Sequence, residues 1–225
     1  MSNARDTAKN LKTGLNVAAN GDIIDLQKDG TSVGSIGTYG GDMTVGTGDT
    51  RVRFIDSLDC VVPVSDAVGT SRDASVDLGY SSIRYKDLYL SGGVYLGGTG
   101  AANHLDDYEE GTWNLTDGSG AGLSLSVISN VYTKVGRLVV ASANVLFPST
   151  SNTSLARFVL PFTADPNGSA TGGVVTEDNY SSSQTLTAAI NYSNGVIFRT
   201  HGVTSLTNSQ LSGKRIRFTV TYHHG

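Results

Sequence analysis

Residues Arg215–Tyr222 read RIRFTVTY. Ile216, Phe218, Val220 and Tyr222 alternate with Arg215, Arg217, Thr219 and Thr221. Successive side chains of a strand point to opposite faces, so this is a strand with one apolar and one polar side. The same period runs through Arg137–Phe147, where Val139, Ala141, Ala143, Val145 and Phe147 share a face. It returns at Leu123, Leu125 and Val127, at Gln184–Asn191 (Leu186, Ala188, Ile190) and at Gly195–Thr200 (Val196, Phe198). Roughly eight or nine strands at about ten-residue spacing follow from this pattern. It predicts an all-β C-terminal domain over residues 106–225, a jelly-roll-like β-sandwich with one face packed and the other meeting water or a neighbouring subunit.

Composition agrees with that reading. Glutamate occurs only at Glu109, Glu110 and Glu177, while Asp, Asn, Ser, Thr and Gly are abundant. These residues favour turns, and Thr, Val, Ile and Tyr favour pleated strands. The net charge is −4 and the pI about 5.4, with no basic stripe, which argues against a nucleic-acid partner. Cys60 is the single cysteine, so neither an internal disulfide nor a cysteine metal cluster is available. No apolar run reaches the roughly 18 residues of a membrane span, and the N-terminus lacks a signal-peptide core. The expectation is a soluble protein made in a cytoplasm, with no membrane insertion.

Residues 21–105 have a different texture. Asp22–Lys28, Ser32–Tyr39, Met43–Val45, Arg51–Ile55 and Cys60–Val64 read as short strands, and glycine interrupts most of them. Asp29-Gly30 is a strong hairpin signal, and Gly40-Gly41 turns the chain again. So few large apolar residues per strand make a poor single-chain core, and oligomerisation is the natural remedy. At residues 2–20, Ala4, Ala8, Leu11, Leu15 and Ala18 follow a heptad seam. A seam this short predicts a helix that needs support, either in a bundle of copies or on its own domain.

Four segments in order resemble the C-terminal parts of bacteriophage tail fibres. Asp22–Gly37 (DIIDLQKDGTSVGSIG) is similar to a shaft hairpin, and Asp77–Leu90 (DLGYSSIRYKDLYL) to an element preceding the distal domain. Ser91–Thr112 (SGGVYLGGTGAANHLDDYEEGT) resembles the connector that follows, and Val131–Val139 (VYTKVGRLV) an early strand of the distal domain. The resemblance spans about two thirds of the chain. It implies a homotrimer with an intertwined β shaft and a distal knob that touches the host. Its partners would be a host cell-surface glycan or receptor and, through the N-terminal segment, other virion proteins. The long helical tail of a self-cleaving chaperone domain does not follow KDLYL here, so no autoproteolysis is expected. No obvious docking domain precedes residue 20, which leaves a short fibre, a fragment, or docking by the small helical segment itself.

Candidate chemistry is sparse. Asp106, Asp107, Glu109 and Glu110 are too close in sequence to face one another across a glycosidase cleft, and read as a solvated connector. His104, His201, His223 and His224 form no metal-ligand spacing, and Gly97-Gly98-Thr99-Gly100 lacks the Lys-Ser/Thr of a phosphate loop. There is no G-x-S-x-G elbow. No catalytic residue, metal ligand or cofactor is expected. Shallow saccharide sites combine aromatic rings with acid and amide groups. Asp178, Asn179 and Tyr180, with Asn194 and His201, are the candidate ligand-binding residues. The alternative is that Tyr180 and Tyr192 pack against a neighbouring subunit. Trp113 is expected to seal the start of the knob. The functional expectation is host attachment by adhesion. A purely structural virion piece, such as a head fibre or collar connector, is the competing reading, and a polysaccharide depolymerase comes after it.

Overall fold

A computed structural model describes residues 18–65, 69–166, 172–178, 186–191, 195–200 and 204–225. The described residues are strand and loop, with two single 3-10 turns at Asp56–Leu58 and Ala101–Asn103. The fold is all-β. The heptad segment expected over 2–20 lies outside the described residues except for its last three, which form a bend. The chain separates into two units, Met1–Leu88 and Tyr89–Gly225.

The first unit is an antiparallel meander of β1 (Gly21–Lys28), β2 (Thr31–Tyr39), β3 (Asp42–Thr47), β4 (Thr50–Ile55), β5 (Cys60–Ser65) and β6 (Thr70–Ser71), adjacent in chain order. The Asp29-Gly30 turn has φ of 53° and 79°, the two positive values of a type I′ hairpin. Gly40-Gly41 repeats this with 59° and 92°. The strand edges expected from sequence are met within a residue or two.

In the second unit β7 (Val94–Tyr95) and β8 (His104–Leu105) form a small ladder. The remaining strands are β9 (Tyr108–Gly111), β10 (Ser126–Val135), β11 (Leu138–Leu146), β12 (Arg157–Val159), β13 (Gly173–Asp178), β14 (Leu186–Asn191), β15 (Gly195–Thr200) and β16 (Arg215–His223). They make one eight-stranded antiparallel sheet in the order β12-β15-β14-β13-β16-β11-β10-β9. This replaces the two stacked sheets of the expected jelly-roll-like sandwich. The sheet curls until its ends meet. Phe158 on β12 lies 5.8 Å from Phe218 on β16, although three strands separate them in the ladder.

The chain after β9 closes the gap. The Gly118 N–H donates to Arg157 O at 2.7 Å and the Val159 N–H to Thr116 O at 3.0 Å. The stretch from Tyr108 to Gly118 therefore pairs with β10 at its start and with β12 at its end. The piece of chain that begins as the edge strand β9 thus ends against β12, the strand at the other edge of the sheet. Trp113 sits on this seam and donates from Nε1 to Val159 O at 3.1 Å.

The interior follows the alternation of the sequence. Val139, Ala141, Ala143 and Val145 of β11 face Ile216, Phe218, Val220 and Tyr222 of β16, all buried. Phe147, Phe158, Phe198 and Phe218 form an aromatic cluster with centroid separations of 5.3–5.8 Å. Leu123 and Leu125 pack against this core from a loop, not from the strand their spacing predicts.

Tyr222 is the largest fully buried side chain. Its hydroxyl donates to Phe162 O at 3.0 Å and accepts from Phe162 N at 3.2 Å. Burial pushes the phenol up to about 12, against the pull of the Phe162 N–H. A phenol raised in the folded state gives stability that is complete below its unfolded value near 10 and is lost as pH climbs through 12. Urea unfolding should show about 1.4 kcal/mol less stability at pH 11 than at pH 8 from this group. Tyr222→Phe should flatten that slope. An unchanged slope would place the phenol in water.

Candidate interaction surfaces

The sheet of the first unit is inverted relative to an ordinary soluble sheet. Residues opposite one another in a ladder share a face. One such row is Ile36, Val45, Val52 and Pro63, with Ile24 opposite Ile36 on β1. The next row is Thr38, Met43, Phe54 and Val61. This face carries no charge along these rows, and Met43, Phe54 and Val61 are 48%, 41% and 58% exposed. It extends over five strands, about 20 Å at the usual strand spacing. Apolar patches of that breadth mark contact surfaces.

The opposite face is polar and covered. Ser35, Thr44 and Arg51 are buried there, and Val64 is the buried apolar side chain of this unit among the described residues. Arg51 donates to Ser35 Oγ at 2.7 Å, Thr44 Oγ1 at 3.3 Å and Asp22 Oδ1 at 3.1 Å. Asp22 also accepts from the Ser35 hydroxyl. Arg53 grips Asp42 Oδ2 from Nε at 3.0 Å and Nη2 at 2.6 Å, with its guanidinium 4.8 Å from the Tyr39 ring centre. The Arg53 hydrogen bonds hold the Asp42 carboxyl below the usual carboxylate range, outweighing its partial desolvation. Glycine makes room for this layer, since a Cβ on Gly46 would lie 2.4 Å from Arg51 Cα. The strand-interrupting glycines thus serve a polar interior.

The segment Asp77–Leu88 exposes still more apolar surface. The Tyr80 N–H donates to Ile83 O at 2.8 Å and the Ile83 N–H to Tyr80 O at 3.0 Å, fixing a tight turn. Around it Leu78, Ile83, Tyr85 and Leu88 are about two-thirds or more exposed. Leu78, Tyr85 and Leu88 flank a groove of about 750 Å³ that also touches Asp77, Arg84 and Asp87.

The acid cluster is built into the second unit. Asp107 pairs with Lys134, Glu109 accepts from the Tyr132 hydroxyl and Glu110 from Tyr108 at 2.8 Å. Asp106 lies 3.5 Å from His104, whose ring stacks on Tyr95 at 4.3 Å. Asp106, Glu109 and Glu110 are exposed to solvent, as expected, and the segment forms the edge strand β9 and its approach. Lys134 is 5% exposed, so its ammonium is held between Asp107 and the Phe162 ring.

Of the candidate ligand residues, Asn179, Tyr180, Asn194 and His201 lie outside the described residues. Asp178 ends β13, opposite Ile216, and its side chain is outside the described set. Tyr192 is outside it as well. Among the described residues no group of three or more His, Cys, Asp or Glu is arranged to hold a metal ion. No described helix is long and apolar enough to cross a membrane. Comparison with protein-family models, curated proteins and solved structures gives no significant match.

Proposed function

We propose that this chain is a subunit of a bacteriophage virion fibre that assembles as a homotrimer and attaches the particle to its host. Residues 21–105 form the shaft, and residues 106–225 are the knob that binds a cell-surface glycan or protein. The observation that carries this reading is the inverted first sheet, which buries arginine and exposes Ile24, Met43, Val52, Phe54 and Val61. A face without charge is covered best by the same face of further copies. The second unit has its own core and needs no such cover to fold. That division of labour suits a shaft held by assembly and a self-sufficient tip. Three weak sites on one stalk would give avidity well above a single contact. Adhesion, without bond-breaking chemistry, is the mechanism.

A second reading is a structural virion component bound at both ends. Its support is the outer face of β10 and β11, where Val131, Val135, Leu138 and Val140 are exposed side by side. The deciding experiment is light scattering on the purified chain, followed by binding of fluorescent protein to a panel of bacterial cells. A particle of three times the 23.5 kDa chain that stains a subset of strains is expected. A monomer overturns the fibre, and a trimer that stains no strain favours the structural component.

A further inference from the structure

The outer face of the second sheet contains a depression of about 360 Å³. Its origin is a run of side chains of unequal height. Val131, Ser142, Thr219 and Val174 stand opposite one another across β10, β11, β16 and β13. The two valines at the ends are 57% and 64% exposed, and the two short hydroxyl residues between them form a floor. Ser142 Oγ and Thr219 Oγ1 are 2.8 Å apart and share one hydrogen bond. The next row supplies Ser129, Asn144 and Arg217.

The rim is positioned by its neighbours. Arg215 Nε donates to Asn144 Oδ1 at 3.0 Å, which orients the amide and leaves Nδ2 as its donor side. Arg217 is engaged by a neighbour, and a guanidinium carries five donors, enough to serve a ligand as well. Register shifts between Val127 and Ser129 on β10 and between Val175 and Glu177 on β13 flank the depression on both sides. Such bulges bend a strand and re-aim its side chains, and they recur beside binding sites.

We propose that this depression is a saccharide-binding site. The floor offers hydroxyls that both donate and accept, the rim offers an amide and a guanidinium, and Val131 offers an apolar wall. Vicinal hydroxyls on one side of a sugar ring and C–H groups on the other match that combination. A hydrophobic peptide would bury the hydrogen-bonding capacity of the floor that its one shared bond does not use, at a cost for each group left unpaired. The site lies on the sheet and uses none of the sequence-derived candidates Asn179, Tyr180, Asn194 and His201. It rests on the reading of the chain as an adhesin and names where that adhesin would hold its glycan.

The test uses the full chain on an array of bacterial O-antigen and capsular polysaccharides. Ser142→Trp fills the depression, and Thr219→Val removes one floor hydroxyl at constant shape. Wild-type binding that falls at least tenfold in Ser142→Trp and several-fold in Thr219→Val, at unchanged particle mass and melting temperature, is the expected result. Equal binding by both variants overturns the site and leaves the adhesin standing. A changed particle mass in Ser142→Trp also overturns it, because the depression would then belong to a contact between copies. Wild-type protein that binds no polysaccharide defeats the saccharide site, and staining of whole cells then shows whether the adhesin reading falls with it.

Discussion

In the proposed homotrimer, Phe54→Asp should dissolve the assembled particle into single chains. Phe54 lies in the middle of the apolar face, directly opposite Met43 on β3 and Val61 on β5. It is 41% exposed in the single chain, so the ring still has surface to bury when a second copy arrives. Fully burying an exposed phenylalanine stabilises by about 1.5–3 kcal/mol, so covering the part of this ring still exposed is worth roughly 1 kcal/mol in every subunit, which the substitution forfeits. It also places a carboxylate in an interface whose face offers no cation, which costs several kcal/mol more unless the group takes up a proton. In the proposed trimer the three buried carboxylates together would cost on the order of 10 kcal/mol. Light scattering should report a particle near the single-chain mass. The second unit should still fold in the lone chain, because its core is built from its own residues. A particle of unchanged mass would mean that copies meet elsewhere.

The strands of both units are legible in the sequence because period-two alternation and Asp-Gly or Gly-Gly turns are local signals. The alternation in Arg215–Tyr222 and Arg137–Phe147 is enough to assign their inward faces, and Val139, Ala141, Phe218 and Tyr222 are buried as that pattern requires. The inversion of the first sheet is not legible, for a related reason. Alternation says that two faces differ but not which one is covered, and Arg51 and Arg53 look like solvent-facing residues until their partners Asp22 and Asp42 are placed. Strand β10 is equally hard to read because its inward residues Asn130, Tyr132 and Lys134 are polar. Each is satisfied by a group distant in sequence: the Trp113 carbonyl, Glu109 and Asp107. The curl of the second sheet depends on Asp117 meeting Phe158, a pairing that no short-range pattern encodes. The depression around Ser142 and Thr219 combines residues from β10, β11 and β16, and in the sequence they read only as the polar half of amphipathic strands.

The polar interior of the first sheet has a further consequence for assembly. Hydrogen-bonded arginine pairs fix one register of β1, β3 and β4, because a slip by one residue would turn Arg51 and Arg53 onto the apolar face. The apolar face is then presented as a single pattern of side chains, which a second copy can match. In the proposed assembly the inner face would supply specificity and the outer one affinity.

Phe158→Ala should be the most damaging single change within the second unit. Phe158 is 1% exposed and its ring lies 5.3–5.8 Å from Phe147, Phe198 and Phe218. It sits on β12, where the sheet folds back over β16, so its removal opens a cavity at the closure. Phenylalanine-to-alanine changes in such cores cost about 3–5 kcal/mol. For a unit of this size each kcal/mol lowers the melting temperature by roughly 3–5 °C, giving a fall of about 10–20 °C. Phe158→Leu keeps most of the volume and should lose less than half as much. The particle mass at room temperature should not change in either variant, because the proposed contacts between copies belong to the first sheet. A melting temperature within about 2 °C of wild type for Phe158→Ala, by the same scale, would show that the sheet does not close on this ring. Loss of the assembled particle together with the knob would instead show that the second unit takes part in holding the copies together.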